Sequence, residues 1–315
     1  MRTRSIAVVL ALTCAACIPT DPGTTTTEST TTTPPSVVAM HGMTVEDVDT
    51  GPLIASLAAF DHRPTVRVVF QPGVGPDYYR PALTAIQPYA DVVGLVYDST
   101  ALAAASLTQV KARIAAFLTL GPLVDIWEVG NEVNGEWCDE GYPSTPRPAA
   151  TTAKIDAVFD AVKAVGARTA LTGIYMPGCT EWPSAEMFGW LTANVSIRVK
   201  SGVDHAWVSY YEDNCTGAVY PLTHWQALFD RLATLFPNAN VGFGEVGYAD
   251  DRKAGPNNPR MSNAAKTALM DRYYSLDIDG RFESGGFWWY AYQDVVPHTG
   301  NPLWTALNDA FGRQR

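Results

Sequence analysis

The chain has 315 residues, 47% of them hydrophobic and 17% charged, with a formal net charge of −10. That length buries a sizeable core, and an acidic balance without a basic cluster excludes the electrostatic footprint of a nucleic-acid binder or of a protein held on an anionic membrane surface. A neutral ligand fits this composition better.

The opening stretch, MRTRSIAVVLALTCAAC, sets two arginines before an apolar run too short to span a bilayer, then small residues leading into a cysteine. This is the pattern of an export signal. Cys14-Ala15-Ala16-Cys17 resembles the bacterial lipobox, with Cys14 where that motif usually has Leu. The resemblance implies a signal over residues 1–17 with Cys17 as the lipidated residue; the other reading is a secreted protein cut near Ala16. Either way the protein is expected to be exported, lipid-anchored in the cell envelope or secreted. Residues 18–35 form a Thr/Pro-rich tract that buries too little surface to offset the entropy of ordering it, so a flexible tether is expected there.

From Ser36 to Arg315 short β-rich runs alternate with longer Ala/Leu-rich runs of helical spacing. Eight strands are predicted, at residues 37–42, 65–71, 91–98, 124–132, 168–176, 205–211, 240–248 and 285–292. Helices are predicted near 52–60, 77–88, 105–118, 150–166, 184–193, 222–236, 261–277 and 302–311. Eight strands each followed by a helix make the count of a single-domain α/β protein with a (β/α)8 TIM barrel. A doubly wound sheet is the competitor, but no GxGxxG or GxxxxGK follows the first strand.

Three cysteines fall within this domain, Cys138, Cys179 and Cys215. Their spacing offers no CxxC, and the histidines are scattered, so neither a metal nor a cofactor is expected. Cys179 and Cys215 follow the adjacent fifth and sixth strands, which makes them the expected disulfide, with Cys138 the rival partner for Cys179.

In a barrel of this kind the working residues stand at the C-terminal ends of the strands. The fourth strand ends WEVGNE with Asn131-Glu132, and the seventh carries Glu245 late in VGFGEVGY. Strict alternation puts Ile126, Glu128, Gly130 and Glu132 on one face of their strand, and Val241, Phe243 and Glu245 on one face of theirs. On the second strand Val66, Val68 and Phe70 suit the helices, turning Arg67 inward, where it needs an acid such as Glu128 or Glu245.

With SYYED closing the sixth strand and FWWYAYQD on the eighth, this set resembles the clan A glycoside hydrolases, retaining enzymes on (β/α)8 barrels. The resemblance implies an acid/base at Glu132, a nucleophile at Glu245, and a sugar contact at Asn131. It also implies supporting roles for Arg67, for Tyr211 (or Tyr210 if the register slips), and for Trp289 or Trp288 beneath the sugar, with parity from Phe287 favouring Trp289. Many members of the clan have Trp-Asn-Glu-Pro where this chain has Gly130-Asn131-Glu132-Val133. Tyr97 and Trp137 lie where strand tops or loops are expected and could stack on a sugar. Glu128 is expected to be a structural partner of arginine, and Glu136, Asp139 and Glu140 to be solvated. Two carboxyls on one rim suit glycosidic cleavage, in which one protonates the leaving oxygen while the other attacks the anomeric carbon. The expected function is hydrolysis of a β-linked polysaccharide or oligosaccharide by a monomer touching the membrane only through its lipid; the alternative is a surface lipoprotein that binds carbohydrate without turning it over.

Overall fold

Strands buried on both faces read as near-continuous apolar runs, and such strands pair in parallel when helices cover the outside. The computed structural model, which describes residues 38–45, 47–48, 50–135, 147–177, 186–213, 218–248, 261–289 and 291–314, follows that rule. Its strands are β1 (Gly42–Val45), β2 (Thr65–Val69), β3 (Asp91–Leu95), β4 (Ile126–Gly130), β5 (Arg168–Ile174), β6 (His205–Tyr211), β7 (Asn240–Gly247), β8 (Phe282–Ser284) and β9 (Phe287–Trp288). The helices between and after them are α1 (Thr50–Ala58), α2 (Pro76–Ile86), α3 (Ser99–Ala104), α4 (Leu107–Phe117), α5 (Pro148–Ala164), α6 (Met187–Asn194), α7 (Ile197–Gly202), α8 (Leu222–Leu235), α9 (Asn263–Tyr274), α10 (Ala291–Val295) and α11 (Pro302–Phe311).

Each strand from β1 to β7 pairs in parallel with the next. The ring closes through β8, which pairs with the start of β7, and β9, which pairs with both β7 and β1. β8 and β9 are two halves of one stave, so the sheet is a closed eight-stave barrel. All the described elements lie in one compact unit, Val37–Arg315.

Two strand predictions differ from the structure. The first was expected at residues 37–42, but the chain joins the ladder only from Gly42 onward; before that, the Met40 amide donates to the Glu283 carbonyl at 2.6 Å, beneath the first rung. The eighth was expected as one run over residues 285–292, yet Gly285-Gly286 interrupts it. Gly286 adopts φ +154°, and a side chain on Gly285 would sit 2.5 Å from the Tyr273 carbonyl oxygen. Close passage of α9 therefore breaks the stave, and the chain turns into α10 at Ala291.

Outward side chains of the strands, among them Val68, Trp127, Val208 and Phe243, pack against the helices in one continuous core. Phe243 meets Trp225 edge-on at 4.9 Å and Phe229 at 5.0 Å, an aromatic arrangement worth roughly 0.5–1.5 kcal/mol per pair beyond area burial. Inside the barrel a second, smaller cluster of Val93, Ile126, Ala170, Trp207 and Phe287 forms an apolar floor. The barrel is thus filled below, and its polar interior residues stand above that floor.

The signal, Cys17, the tether, Trp137, Glu136, Asp139, Glu140 and the three domain cysteines, including the expected Cys179–Cys215 disulfide, lie outside the described residues. No helix of the described residues is long and apolar enough to cross a membrane.

Candidate active site

The upper barrel interior is set by two irregularities in otherwise regular ladders. On β4 the register against β5 shifts between Glu128 and Gly130. Val129 joins the helix-side core, and a side chain on Gly130 would also meet helix-side atoms, those of Val133, Leu171 and Ile155. On β7 the register against β6 shifts between Phe243 and Glu245. Gly244 and Glu245 both turn inward: a side chain on Gly244 would lie 2.9 Å from Thr172 and Trp207, which leaves glycine as the residue that fits. These are β-bulges, which bend a strand and re-aim the side chains beyond them. The expected common face for Phe243 and Glu245 is therefore wrong, because Phe243 packs among the helices while Glu245 points into the barrel. Gly130 likewise leaves the face of Glu128, and the inward direction passes to Asn131, which reaches Asp98.

Arg67 on β2 is fully buried and organises the centre. Its Nε donates to Glu128 Oε2 at 2.6 Å and its Nη2 to Oε1 at 3.1 Å, while Nη1 lies 2.9 Å from Glu245 Oε1. Thr172 Oγ1 donates to Glu128 Oε1 at 2.6 Å, fixing that carboxylate from β5. A two-point Arg–carboxylate fork has one geometry, so Glu128 aims the remaining guanidinium nitrogen at Glu245. Tyr211 hydroxyl donates to the other Glu245 oxygen, Oε2. A carboxylate that is only 2% exposed thus has one oxygen ion-paired and the other hydrogen-bonded.

Opposed forces act on these charges. Burial alone would lower the Arg67 pKa, but Glu128 and Glu245 outweigh it and hold the guanidinium above its ordinary range. For Glu245 burial is the largest influence and raises the carboxyl pKa. Arg67 and the Tyr211 hydrogen bond pull it down, Glu128 and Asp98 push it further up, and the net direction is upward. Arg67 does not by itself set the charge of Glu245, because burial opposes it and Glu128 shares the guanidinium.

Glu132 follows β4 in a left-handed backbone conformation, φ +47°, and is the one non-glycine residue with positive φ among the described residues. Such a conformation costs on the order of 1–3 kcal/mol and persists only where its surroundings enforce it. Here they do so from β5. Val133 N–H donates to the Thr172 carbonyl at 3.2 Å, and Asn134 exchanges two hydrogen bonds with the Ile174 backbone at 2.8 and 2.9 Å. The turn closes with Gly135 N–H on the Glu132 carbonyl at 2.8 Å. Asn131, just before it, is buried, and its Nδ2 donates to Asp98 Oδ1 at 3.3 Å.

The other sequence candidates divide. Trp289 is half-buried and lies over the Arg67 guanidinium, 5.6 Å from Cζ to ring centroid, which brings it to the site. Trp288 faces the opposite way, fully buried on the helix side with Nε1 donating to Asp294 Oδ2 at 3.1 Å. Tyr210 is also on the helix side, its hydroxyl on the Ala218 carbonyl. Tyr97 follows β3 but packs outward beneath Arg113, 5.0 Å from its ring. Arg113 in turn holds the carbonyls of Phe70, Gln71, Val74 and Val96, which ties the tops of β2 and β3 together.

Thr172 and Asp98 were not singled out from the sequence. Asp98 ends the run DVVGLVYD as Glu132 ends WEVGNE, so its position after a barrel strand was the available signal; Thr172 carries none beyond inward parity.

No protein-family model and no curated protein matches the chain. Among solved structures it is similar to the GH53 catalytic domain of Ignisphaera aggregans, at 13% identity and a TM-score of 0.52 over 87% of this chain and 96% of that one. It is also similar to a GH18 chitinase from Pseudoalteromonas aurantia, at 12% identity and a TM-score of 0.52 over 85% and 98%, and to a GH5-4 broad-specificity endoglucanase from an uncultured bacterium, at 15% and 0.50 over 86% of each chain. The chain therefore shares the (β/α)8 barrel fold of these glycoside hydrolases across nearly its whole folded part.

Proposed function

We propose that the protein is a retaining glycoside hydrolase that cleaves β-linked polysaccharide or oligosaccharide by double displacement. The observation that carries this reading is Glu245, buried at the C-terminal end of its barrel strand with one oxygen facing Arg67 and the other on Tyr211, while Glu132 follows the C-terminal end of β4.

In the first step the Glu245 carboxylate attacks the anomeric carbon as Glu132 donates a proton to the leaving oxygen, giving a glycosyl ester and a free alcohol. In the second, Glu132, now a carboxylate, removes a proton from water, which displaces Glu245 and restores both groups. Retention of this kind places the two carboxyls roughly 5 Å apart. Arg67 and Tyr211 orient the nucleophile, and Trp289 borders the position the sugar would occupy. The export signal and lipobox-like stretch support release or anchoring outside the cytoplasm, where a polymeric substrate is met. Proton NMR of the first-formed sugar from a β-glycoside tests the mechanism: the β-anomer is expected, and an initial α-anomer would reject it.

A further inference from the structure

A second hollow lies on the helix side of the barrel wall, away from Glu245. The segment after β2, the residues after β3 and the helices α3 and α4 enclose a cavity of about 440 Å³, whose lining includes Pro72, Tyr97, Thr100, Ala104, Gln109 and Arg113. That volume falls within the roughly 300–1,000 Å³ of small-molecule sites. Because Pro72 and Tyr97 follow the ends of β2 and β3, the cavity opens at the C-terminal end of the barrel. Tyr97 packs toward the helices, whereas the next residue, Asp98, reaches Asn131 beside Glu132. One step of the chain thus links the cavity to the rim of the candidate active site.

The lining is braced before any ligand arrives. Arg113 donates to the carbonyls of Phe70, Gln71, Val74 and Val96 and lies 5.0 Å from the Tyr97 ring centroid. Four of the five N–H groups of its guanidinium are spent on backbone, so it holds the wall together rather than offering a fork to an anion. Gln109 is fixed by the capping box of α4: its Oε1 accepts from the Ser106 amide and hydroxyl, both at 2.8 Å. Its amide nitrogen is the end left to donate. Thr100 and Tyr97 add hydroxyls, and among the described residues no carboxylate lines the cavity. An aromatic ring with proline and alanine beside it, bordered by hydroxyl and amide groups, complements a pyranose, which has an apolar C–H face and a hydroxyl-bearing edge.

We propose that this cavity is a second sugar-binding site, separate from the cleft, which holds a neutral sugar unit of a polysaccharide while the cleft takes another part of the polymer. The choice of a polysaccharide as ligand rests on the glycosidase reading. The site itself rests on the lining alone.

The test is electrophoresis of the folded protein through native gels containing barley β-glucan, β-1,4-galactan, glucomannan or arabinoxylan, with polygalacturonate as the anionic comparison. Every sample carries Glu245→Gln, so that the polymer in the gel stays intact. Two changes are compared with this parent: Tyr97→Leu, which removes the ring and hydroxyl but keeps apolar bulk, and Ala104→Leu, which narrows the cavity from an exposed helix position. At least one neutral polymer is expected to retard the parent, and both changes to weaken that retardation about tenfold in apparent dissociation constant. Unaltered retardation in both, an effect of Tyr97→Leu alone, retardation by polygalacturonate only, or none by any neutral polymer would overturn the proposal. If the wild type cleaves no glycoside, the glycosidase reading fails; weakened retardation in both variants would still establish the second site.

Discussion

Among the described residues a buried glutamate stands at each end of the barrel interior, Glu283 beside His205 and Trp207 and Glu245 beside Tyr211, and their surroundings differ. Glu283 on β8 lies at the floor, where a single oxygen, Oε1, is 2.7 Å from His205 Nδ1 and accepts from Trp207 Nε1 at 2.9 Å. Glu245 lies at the top, its two oxygens divided between Arg67 and Tyr211 and its surroundings shared with Glu128 and Asp98. The lower carboxylate partners Trp207 Nε1 and His205 Nδ1, which the apolar floor would otherwise strand. The upper one is crowded by like charge, with an ion-pair partner at one oxygen and a hydroxyl donor at the other. Burial by itself therefore does not distinguish the two carboxylates; their partners and their ends of the strand do.

Substitutions should break this symmetry. On the proposed mechanism Glu245→Ala removes the nucleophile, and turnover of every substrate is expected to fall by about 10⁴-fold or more, read from initial rates. Glu132→Ala removes only proton transfer, so the expected loss is roughly 10²–10⁴-fold on alkyl glycosides and less on activated aryl glycosides for the bond-breaking step. Azide should then rescue turnover and yield the β-glycosyl azide, identified by NMR; an α-azide from this variant would mean the two roles are exchanged.

At the floor the effect moves from rate to stability. Glu283→Ala leaves Trp207 and His205 without their shared acceptor and is expected to cost about 2–4 kcal/mol in chemical denaturation. Activity per folded molecule should stay within about twofold of wild type. A large fall in kcat without loss of stability would make Glu283 part of the reaction.

The smallest expected effect is a gain. The raised pKa of Glu245 means that the folded protein binds its proton more tightly than the unfolded chain, so ionising this group destabilises the fold as pH rises above the ordinary carboxylate range. Glu245→Gln is expected to raise Tm by roughly 2 °C at pH 7. The gain should shrink toward zero in acid, where both states of wild-type Glu245 are protonated. A difference that grows as pH falls would contradict the direction given for this carboxyl.

The alternation of apolar runs made the barrel legible, because each strand and helix carries its own period. Strand ends also brought Arg67, Asn131, Glu132, Tyr211, Glu245 and Trp289 into view. Parity could not carry the side chains past the bulges at Val129 and Gly244. An extra residue in one ladder is invisible until its partner strand fixes the register, and Gly244 announces a close approach without saying to what. The break at Gly285-Gly286 depends on the path of α9, a contact remote in sequence. Asp98 escaped because an aspartate before a helix ordinarily reads as a cap, and only the Asn131 contact reveals another use.

The central claim is that Glu245 bonds to the sugar, and the most direct measurement is peptide mapping by mass spectrometry after incubation with a 2-deoxy-2-fluoro β-glycoside carrying an activated leaving group. Such a substrate forms the intermediate faster than it hydrolyses it. One glycosyl residue on the peptide containing Glu245 is the expected result. An adduct on Glu132, or hydrolysis with inverted configuration and no adduct, would contradict it.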